Sequence, residues 1–330
     1  MGAANAGAAA DHTWDLTISA SGATQNVTTP NSFFPYVVPT GPGAVISEAD
    51  LSGYLTQWPI TLDTTYDVGS GTGDGAILVS GAVALTGDQG ITFNAPEITV
   101  PSVALTGGSA TLSTGWDDNP DPDLAGQSTT ITAAGSIAAL NPMFGGPLVL
   151  AGDLTIIVPD QYAVNFNRRG ITGAHALTVV GEAAVNFPGP IGTEGAPLTS
   201  ITVPGMLRST ADVYANTIDL GSVYGDDDTA YALHANGDVE VDNLRSGFNP
   251  NGDVTISAGP GDVSLGFVFT KDLTVNSTGT LSLQPNTSQN ITGALTTDTG
   301  GTSDFTNGVP SAGTSVSIGD KILAGTNGVN

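Results

Sequence analysis

The sequence predicts an all-β chain wound as a parallel β-helix, a solenoid in which each coil stacks on the one before it. Two repetitions carry this prediction. AVNF at 163–166 returns at 184–187, and ALTV at 176–179 is echoed by PLTS at 197–200, each 21 residues later. Self-similarity at a fixed period of about 20–50 residues is typical of solenoids. Short strands at regular spacing can also build tandem β-sandwiches, which stay the alternative.

The composition favours strands and turns over helices. Charged residues make up 11% of the 330 residues, against about 25% in an average globular protein. The chain has 45 Gly and is rich in Thr, Ser, Ala and Val, which are turn residues and small strand formers. Apolar residues reach 39%, which is enough for a buried core and argues against disorder.

Three segments follow one another along the chain. Residues 1–45 hold one strand pattern and the aromatic cluster SFFPYVVP at 32–39, and we expect an N-terminal cap or subunit-joining segment there. Residues 46–300 form the β-helix repeat region, in which short runs of alternating apolar and polar residues end at Gly, Asp or Asn. Residues 301–330 contain a further alternating strand, which is expected to cap the solenoid or join subunits.

The spacing of leucines within the repeat region indicates the length of one coil. Leu154, Leu177 and Leu198 lie 23 and 21 residues apart, which predicts one inward position in successive coils. Three strands of about five residues with three short turns use that length, and stacked strands lie ~4.8 Å apart. The chain length then predicts about fifteen coils. Pro and Asp density predicts irregular loops at 116–127 and 223–237.

One stretch carries a helical pattern. In SEADLSGYLTQW at 47–58, Ser47 is placed to cap a helix, and Leu51, Leu55 and Trp58 would share one face. No strong capping helix is predicted at either end of the chain. The terminal strand edges are therefore expected to be open to strand addition.

Charge and composition exclude several partners. The net charge of −25 repels phosphate backbones and anionic lipids, so no nucleic acid and no acidic membrane is expected as a partner. No apolar run approaches the ~18 residues of a membrane helix, so no membrane insertion is expected. The absence of Cys excludes disulfides and thiolate metal sites. Low lysine content favours an exported protein, although residues 1–14 lack the basic and apolar regions of a signal peptide.

Candidate chemistry is sparse. Asp226, Asp227 and Asp228 are adjacent carboxylates, and they predict either a Ca²⁺ site or a solvated acidic loop; no other cofactor is expected. GSGTGDG at 69–75 lacks the Gly-Lys-Ser/Thr of a phosphate-binding loop and predicts a turn. No Ser/His/Asp order and no cluster of His stands out, so the chain is predicted not to be an enzyme.

The residues also resemble a known group of proteins. ISEADL at 46–51, the Gly-rich turn at 69–75 and NAPEI at 94–98 resemble repeat units of filamentous-haemagglutinin-like bacterial exoproteins. The stretch 171–201 is similar to related β-strand-repeat surface proteins, and the resemblance covers roughly 46–300. It implies a right-handed parallel β-helix, secretion, and roles in adhesion, biofilm or surface filaments. Residues 1–45 depart from the secretion domain that this group carries at its N-terminus.

These observations predict a structural or adhesive protein, secreted or at the cell surface, that assembles head-to-tail into fibres. Its partners would be further copies of itself and host or cell-surface glycans. The subunit-joining residues predicted from the terminal segments are Leu16, Ile18, Phe33, Phe34, Tyr36, Val316, Ile318 and Ile322. The alternative is a carbohydrate-binding or carbohydrate-cleaving β-helix, similar to a phage tail-spike module. An outward groove of aromatic and acidic residues would favour that alternative, whereas outward Thr, Ser and Asn ladders would favour the structural role.

Overall fold

The chain is a β-solenoid of about 12 turns, with coils about 21 residues apart, 61% strand and 3% helix. This is seen in a computed structural model that describes residues 14–65, 75–114, 130–166, 169–209, 211–225, 230–247, 251–284, 289–306 and 311–324. The predicted parallel β-helix is confirmed, although it has fewer turns than the fifteen expected. The chain divides into two compact units, Met1–Pro147 and Leu148–Asn330.

The N-terminal unit contains one helix and eleven strands among its described residues. The helix is α1 (Glu48–Leu55). The strands are β1 (Leu16–Ser19), β2 (Tyr36–Val37), β3 (Ala44–Ser47), β4 (Ile60–Asp63), β5 (Ile77–Ser80), β6 (Ala82–Thr86), β7 (Ile91–Asn94), β8 (Glu97–Thr106), β9 (Ala110–Ser113), β10 (Thr130–Ala138) and β11 (Met143–Phe144).

Parallel pairing arranges these strands on three faces. The first face has the order β3–β1–β5–β8–β10, with β1 between β3 and β5. The second face has β6–β8–β10 and the third has β2–β4–β7–β9–β11. Strands β8 and β10 belong to two faces because each continues around a corner of the coil.

The described residues of the C-terminal unit form nineteen strands. They are β12 (Leu148–Ile157), β13 (Ala163–Phe166), β14 (Ile171–Thr172), β15 (Ala176–Val180), β16 (Ala184–Phe187), β17 (Leu198–Ser209), β18 (Val213–Tyr224), β19 (Tyr231–Ala235), β20 (Val239–Arg245), β21 (Val254–Gly259), β22 (Val263–Thr270), β23 (Leu273–Ser277), β24 (Thr280–Leu283), β25 (Gln289–Ile291), β26 (Ala294–Thr297), β27 (Thr302–Phe305), β28 (Ser311–Ala312), β29 (Ser315–Ser317) and β30 (Lys321–Ala324).

These strands also pair in parallel on three faces, which we name A, B and C. Face A runs from β12 through β14, β18, β19, β21, β23 and β26 to β29. Face B runs from β12 through β15, β17, β18, β20, β22, β24 and β27 to β30. Face C contains β13, β16, β17, β18, β20, β22, β25 and β28.

The repeated AVNF occupies the same position in successive coils, as predicted. Val164 pairs with Val185, and both side chains are completely buried. The rings of Phe166 and Phe187 stack in the core with centroids 3.9 Å apart and planes 11° from parallel. The repeat therefore encodes one inward rung twice.

Face B carries a continuous inward ladder, one side chain per coil. Its members are Leu154, Leu177, Ile201, Ile218, Val239, Val263, Leu281, Ser303 and Ile322. All but the last are at most 2% exposed, whereas Ile322 in the last described strand is 46% exposed. We call this set the face-B ladder. Its steps vary between 17 residues (Ile201 to Ile218) and 24 residues (Leu177 to Ile201), so the coil length is an average.

The predicted equivalence of Leu198 with Leu177 is wrong. Leu177 pairs with Ile201, and Leu198 pairs with Ala215. The coil between Leu177 and Ile201 contains a short hairpin at Thr193–Ala196, closed by an antiparallel bridge. That hairpin lengthens the coil, so a fixed 21-residue step selects the wrong residue.

The predicted irregular loop at 223–237 is also wrong at both of its ends. Strand β18 continues through Val223 and Tyr224, and β19 covers Tyr231–Ala235. Tyr231, Leu233 and Ala235 point inward in regular alternation. The density of Asp residues between the two strands concealed this pattern. The predicted loop at 116–127 lies outside the described residues.

Acidic side chains at the corners of the C-terminal unit bond to neighbouring coils. The carboxylates of Asp153, Asp212, Asp238, Asp262 and Asp272 each accept a hydrogen bond from a backbone N–H of the next coil, at distances between 2.6 and 2.9 Å. Backbone donors at corners lack a strand partner and need an acceptor. These five carboxylates therefore serve as hydrogen-bond acceptors for backbone N–H groups of the same chain.

Helix α1 forms where the sequence predicts it. The Ser47 hydroxyl accepts a hydrogen bond from the Asp50 N–H at 3.1 Å, which caps the helix at its N-terminus. Leu51 and Leu55 are completely buried, so the predicted apolar face packs against the core. Trp58 follows the helix and is half-buried.

The sequence predicts no strong capping helix at either end of the chain, whereas the structure shows that α1, at residues 48–55, covers the outer edge of β6. The backbone N–H of Ala84 donates to the Glu48 carboxylate at 3.2 Å, and that of Thr86 donates to the Ser52 hydroxyl at 3.1 Å. The sequence pattern predicts helix α1 but does not indicate that the helix lies against a strand edge. Its side chains supply the acceptors that a further strand would have supplied.

The chain before β3 covers the other two outer edges of the N-terminal unit. Gln25 and Val45 exchange two backbone hydrogen bonds of 2.9 and 3.0 Å as an antiparallel bridge on the edge of β3. Beside β2, the Thr28 N–H donates to the Val38 carbonyl, and the Thr28 hydroxyl accepts from the Val38 N–H, both at 2.9 Å. We call residues 24–28 and α1 together the N-terminal cap.

Within the described ranges, no helix has the length and apolar character that crossing a membrane requires.

Candidate functional site

The predicted Ca²⁺ ligands Asp226, Asp227 and Asp228 lie outside the described residues. Among the residues that are described, no three His, Asp or Glu side chains come close enough together to hold a metal ion. The Ca²⁺ site therefore stays a prediction.

The predicted joining residues of the N-terminal segment fall into two groups. Leu16 and Ile18 are completely buried in β1, which has a paired strand on each side. Phe33, Phe34 and Tyr36 are 97%, 39% and 37% exposed. Of these five predicted residues, the three aromatic ones are accessible to a second molecule and the two aliphatic ones are not.

A hydrogen-bonded turn presents Phe33 to solvent. Asn31 and Phe34 exchange two backbone hydrogen bonds, of 2.9 and 3.1 Å. The Asn31 side-chain oxygen also accepts from the N–H groups of Phe33 and Phe34, at 3.0 and 3.1 Å. Behind the turn, the rings of Phe34 and Tyr36 lie 5.1 Å apart. The exposed ring thus stands on an ordered backbone, and we call residues 31–36 the aromatic turn.

The predicted joining residues near the C-terminus lie on the last described coil. Val316 is 51% exposed although its partner Leu295 is 1% exposed, and Ile322 ends the face-B ladder at 46% exposure. Ile318 is half-buried, and Leu323 adds a further side chain at 39% exposure. In the described part of the chain, β28, β29 and β30 each pair on one side only. We call these three strands the open end.

A groove that the sequence did not predict lies on face A. It encloses about 310 Å³ and belongs wholly to the C-terminal unit. Its lining residues are Glu194, Pro197, Tyr214, Ala215, His234, Ala235, Asn236 and Ser257. We call it the face-A groove. It combines two aromatic rings with one carboxylate, one amide and one hydroxyl.

Two stacked rings form the centre of the groove. Tyr214 on β18 and His234 on β19 occupy paired outward positions in adjacent coils. Their ring centroids are 4.5 Å apart and their planes are 14° from parallel. At the edge of the groove, the Asn236 amide donates to the Asn216 side-chain oxygen at 3.0 Å. Parallel register thus aligns both an aromatic pair and a pair of hydrogen-bonded amides.

The groove has a negative electrostatic environment. Partial burial raises the pKa of the Tyr214 phenol, and the carboxylates of Asp212 and Glu194 raise that pKa further. Asp212 is held in place by the Ala232 N–H at 2.9 Å. Among the described lining residues, none is Lys or Arg. The surroundings therefore disfavour a second negative charge.

The Thr193–Ala196 hairpin brings Glu194 to the groove. Thr193 and Ala196 exchange backbone hydrogen bonds of 3.2 and 3.1 Å. Gly192 enters the hairpin with φ +65°, and a Cβ there would lie 2.3 Å from the Tyr214 carbonyl oxygen. Glycine is required here both for the backbone angle and for the close approach to β18.

A second aromatic cluster lies on face C, away from the groove. The guanidinium of Arg245 lies 5.4 Å from the centre of the Tyr224 ring and 4.6 Å from that of Phe267. These are cation–π distances. The guanidinium of Arg245 therefore packs against aromatic rings of face C.

Sequence reasoning missed Tyr214 and His234 because it placed His234 in an irregular loop. The two residues are 20 apart, which is close to the coil period. A search for aromatic residues separated by one coil length would have found them. The sequence contains this spacing, but recognising it requires knowing which residues of successive coils pair with each other.

Comparison with known proteins adds no relative. No protein-family model matches the chain, and neither a curated protein nor a solved structure is similar enough to count as a match. The resemblance to filamentous-haemagglutinin-like exoproteins therefore rests on the quoted residues alone.

Proposed function

We propose that this chain is a structural and adhesive protein, exported from the cell, whose copies associate head-to-tail into fibres. The observation that supports the proposal is the exposure of apolar side chains at the aromatic turn and at the open end. Phe33 is 97% exposed, and Val316 and Ile322 are 51% and 46% exposed. Exposed apolar patches on a soluble fold mark interaction surfaces. Export follows from the composition and the resemblance described above.

The contact we propose differs from simple strand addition at both ends. The N-terminal cap already occupies the outer edges of β2, β3 and β6. The aromatic turn is the apolar feature that this part of the chain offers instead. We propose that the aromatic turn of one copy packs on the open end of the next copy. Two different surfaces meet in such a contact, so the assembly can continue indefinitely.

Charge supports the same pair of surfaces. The chain carries −25 overall, so two copies repel each other over most of their surface. No charged residue occurs between Leu16 and Ser47, which includes the whole aromatic turn. At the open end, the opposite charges of Asp320 and Lys321 cancel. Contact between these two regions therefore places few negative charges of the two copies close to one another.

Polar side-chain pairs between neighbouring coils also suit a structural role. The Asn186 amide donates to the Asn165 side-chain oxygen at 2.7 Å, and Ser102 and Ser136 lie 3.1 Å apart across neighbouring coils. Each pair links two neighbouring coils through a hydrogen bond between uncharged side chains.

Complementary variants of the full chain test the proposed contact. Sedimentation velocity over a concentration series, with negative-stain microscopy, should show the wild-type chain forming linear assemblies. Phe33→Asp and Val316→Asp should each stay monomeric, because each loses one of the two surfaces. A mixture of the two should form 1:1 dimers, since each variant retains the surface that the other lacks.

Val180→Asp is the matched control, because Val180 is 46% exposed on β15 and takes no part in the contact. It should assemble like the wild type. A wild-type chain that is monomeric at all concentrations contradicts the proposal. Dimers that form from Phe33→Asp alone would show that the open end pairs with itself instead.

A further inference from the structure

We propose that the face-A groove binds a carbohydrate, either neutral or carrying an amino group. This site is independent of the head-to-tail contact, because it lies on the side of the solenoid and is formed by β18, β19, β21 and the Thr193–Ala196 hairpin. It would give an assembled fibre one ligand site per copy.

The size and lining of the groove indicate a small, hydroxyl-rich ligand. Its volume of about 310 Å³ is at the lower end of the range of roughly 300–1,000 Å³ for ligand pockets. Glu194, Asn236 and Ser257 contribute a carboxylate, an amide and a hydroxyl. These groups accept and donate hydrogen bonds to hydroxyls in several directions. A purely apolar ligand would displace water from these groups without replacing its hydrogen bonds, at a cost in binding free energy.

The stacked rings supply the apolar component of recognition. A sugar ring has faces of C–H groups between its equatorial hydroxyls, and such a face packs against an aromatic ring. Tyr214 and His234 are partly exposed and hold each other in position through their 4.5 Å stack. An ordered aromatic pair loses little side-chain entropy when a ligand binds. This favours a sugar over a flexible polar chain.

The negative charge at the face-A groove determines which classes of carbohydrate it can bind. The carboxylates of Glu194 and Asp212 both act on Tyr214, and the described lining contains no cation to balance a ligand anion. Uronic acids, sulfated sugars and nucleotides are therefore disfavoured. A protonated amino sugar gains attraction from the carboxylates and from the face of the Tyr214 ring. Neutral and amino sugars are the classes that remain.

We infer binding without cleavage. Hydrolysis of a glycosidic bond generally uses two carboxyl groups, about 5–10 Å apart, on either side of the bond. Glu194 is the single carboxylate among the described residues that line the groove. It is placed to orient a ligand through hydrogen bonds.

The first experiment uses the full wild-type chain on a printed array of neutral, amino and acidic oligosaccharides. At least one neutral or amino oligosaccharide should be retained, and oligogalacturonate should not be. The affinity is then measured by calorimetry with the retained oligosaccharide. In parallel, the imidazole signals of the three histidines are followed by NMR. The His234 signal should shift on binding, and that of His175 should not.

Variants locate the binding. Tyr214→Ala should weaken binding by at least about tenfold, the scale on which one buried aromatic contact acts. Tyr224→Ala is the matched control, because Tyr224 lies at the other end of β18, on face C. It should change the affinity less than twofold. Circular dichroism checks that each variant is folded, and His234→Gln replaces Tyr214→Ala if the latter is not.

Glu194→Gln tests the selection by charge. It keeps the size and shape of the side chain, removes its negative charge, and should bring oligogalacturonate into the range of detectable binding. The proposal is overturned if no neutral or amino oligosaccharide binds, if Tyr214→Ala binds as well as Tyr224→Ala, or if the wild type prefers oligogalacturonate.

Discussion

The ring of Phe166 stacks on the ring of Phe187, one coil further along the chain, with centroids 3.9 Å apart. The pair lies inside the solenoid, where Phe187 is 1% exposed and Phe166 is 7% exposed. Each ring fills the core of its own coil and supports the coil beside it. Loss of one ring therefore affects two coils.

Phe187→Ala should lower the free energy of unfolding by about 3–5 kcal/mol, because it leaves a cavity against Phe166. Urea denaturation followed by circular dichroism measures the change. Phe33→Ala is the control of the same residue type, since Phe33 is 97% exposed. Equal effects of the two substitutions would contradict the placement of Phe187 in the core.

Gly192→Ala should destabilise the chain by about 1–3 kcal/mol, because a side chain is strained at φ +65° and its Cβ would meet the Tyr214 carbonyl oxygen. Gly195→Ala, in the same hairpin, is the control, because a Cβ there meets nothing within 4 Å. Thermal unfolding compares the two variants. If Gly195→Ala is the more damaging, the hairpin is arranged differently.

The Asp50 carboxyl should titrate below its ordinary pKa of 3.8. Hydrogen bonds from the Thr24 and Ser47 hydroxyls stabilise the carboxylate and lower the pKa of Asp50. The stabilisation is fully present above the unfolded value and is lost as pH falls through the lower folded value. NMR titration of the side-chain carboxyl carbon measures the pKa. Thr24→Val should raise it toward 3.8, and an unchanged midpoint would show that Thr24 does not contribute.

Asp262→Ala should cost about 1 kcal/mol, because the N–H of Thr280 loses its acceptor at 2.7 Å. Asp88→Ala is matched in charge, and within the described residues the Asp88 carboxylate accepts from the exposed side chain of Gln89 rather than from a backbone N–H. Both variants remove one negative charge from the chain. The difference between their urea midpoints therefore measures the corner hydrogen bond, and a difference of zero would contradict its role.

Predictions from the sequence were correct where two successive coils have the same length. AVNF predicted the stacking of Val164 on Val185, and Ser47 predicted the start of α1. The same reasoning failed at Leu198, because a hairpin lengthens that coil. Ladder steps of 17 to 24 residues cannot be read from a single average period.

The candidate sites were harder to predict, because each depends on contacts between distant residues. The edge of β3 is covered by Gln25, 20 positions before its partner Val45, in an antiparallel bridge that no repeat signals. The face-A groove requires Tyr214 and His234 to be in register and Glu194 to reach them from a third coil. Burial of Leu16 and Ile18 likewise follows from the position of β1 between β3 and β5.

The face-B ladder implies that a whole coil can be removed or added without disturbing the packing of the other coils. Every rung contacts the rung before and the rung after, and steps of different length are accommodated at the corners. In such an array the stability is a sum of local terms. Removing or duplicating one coil, from one rung to the next, leaves the remaining contacts in register. Selection can thus change the length of this protein by whole coils while the surfaces on other coils are kept.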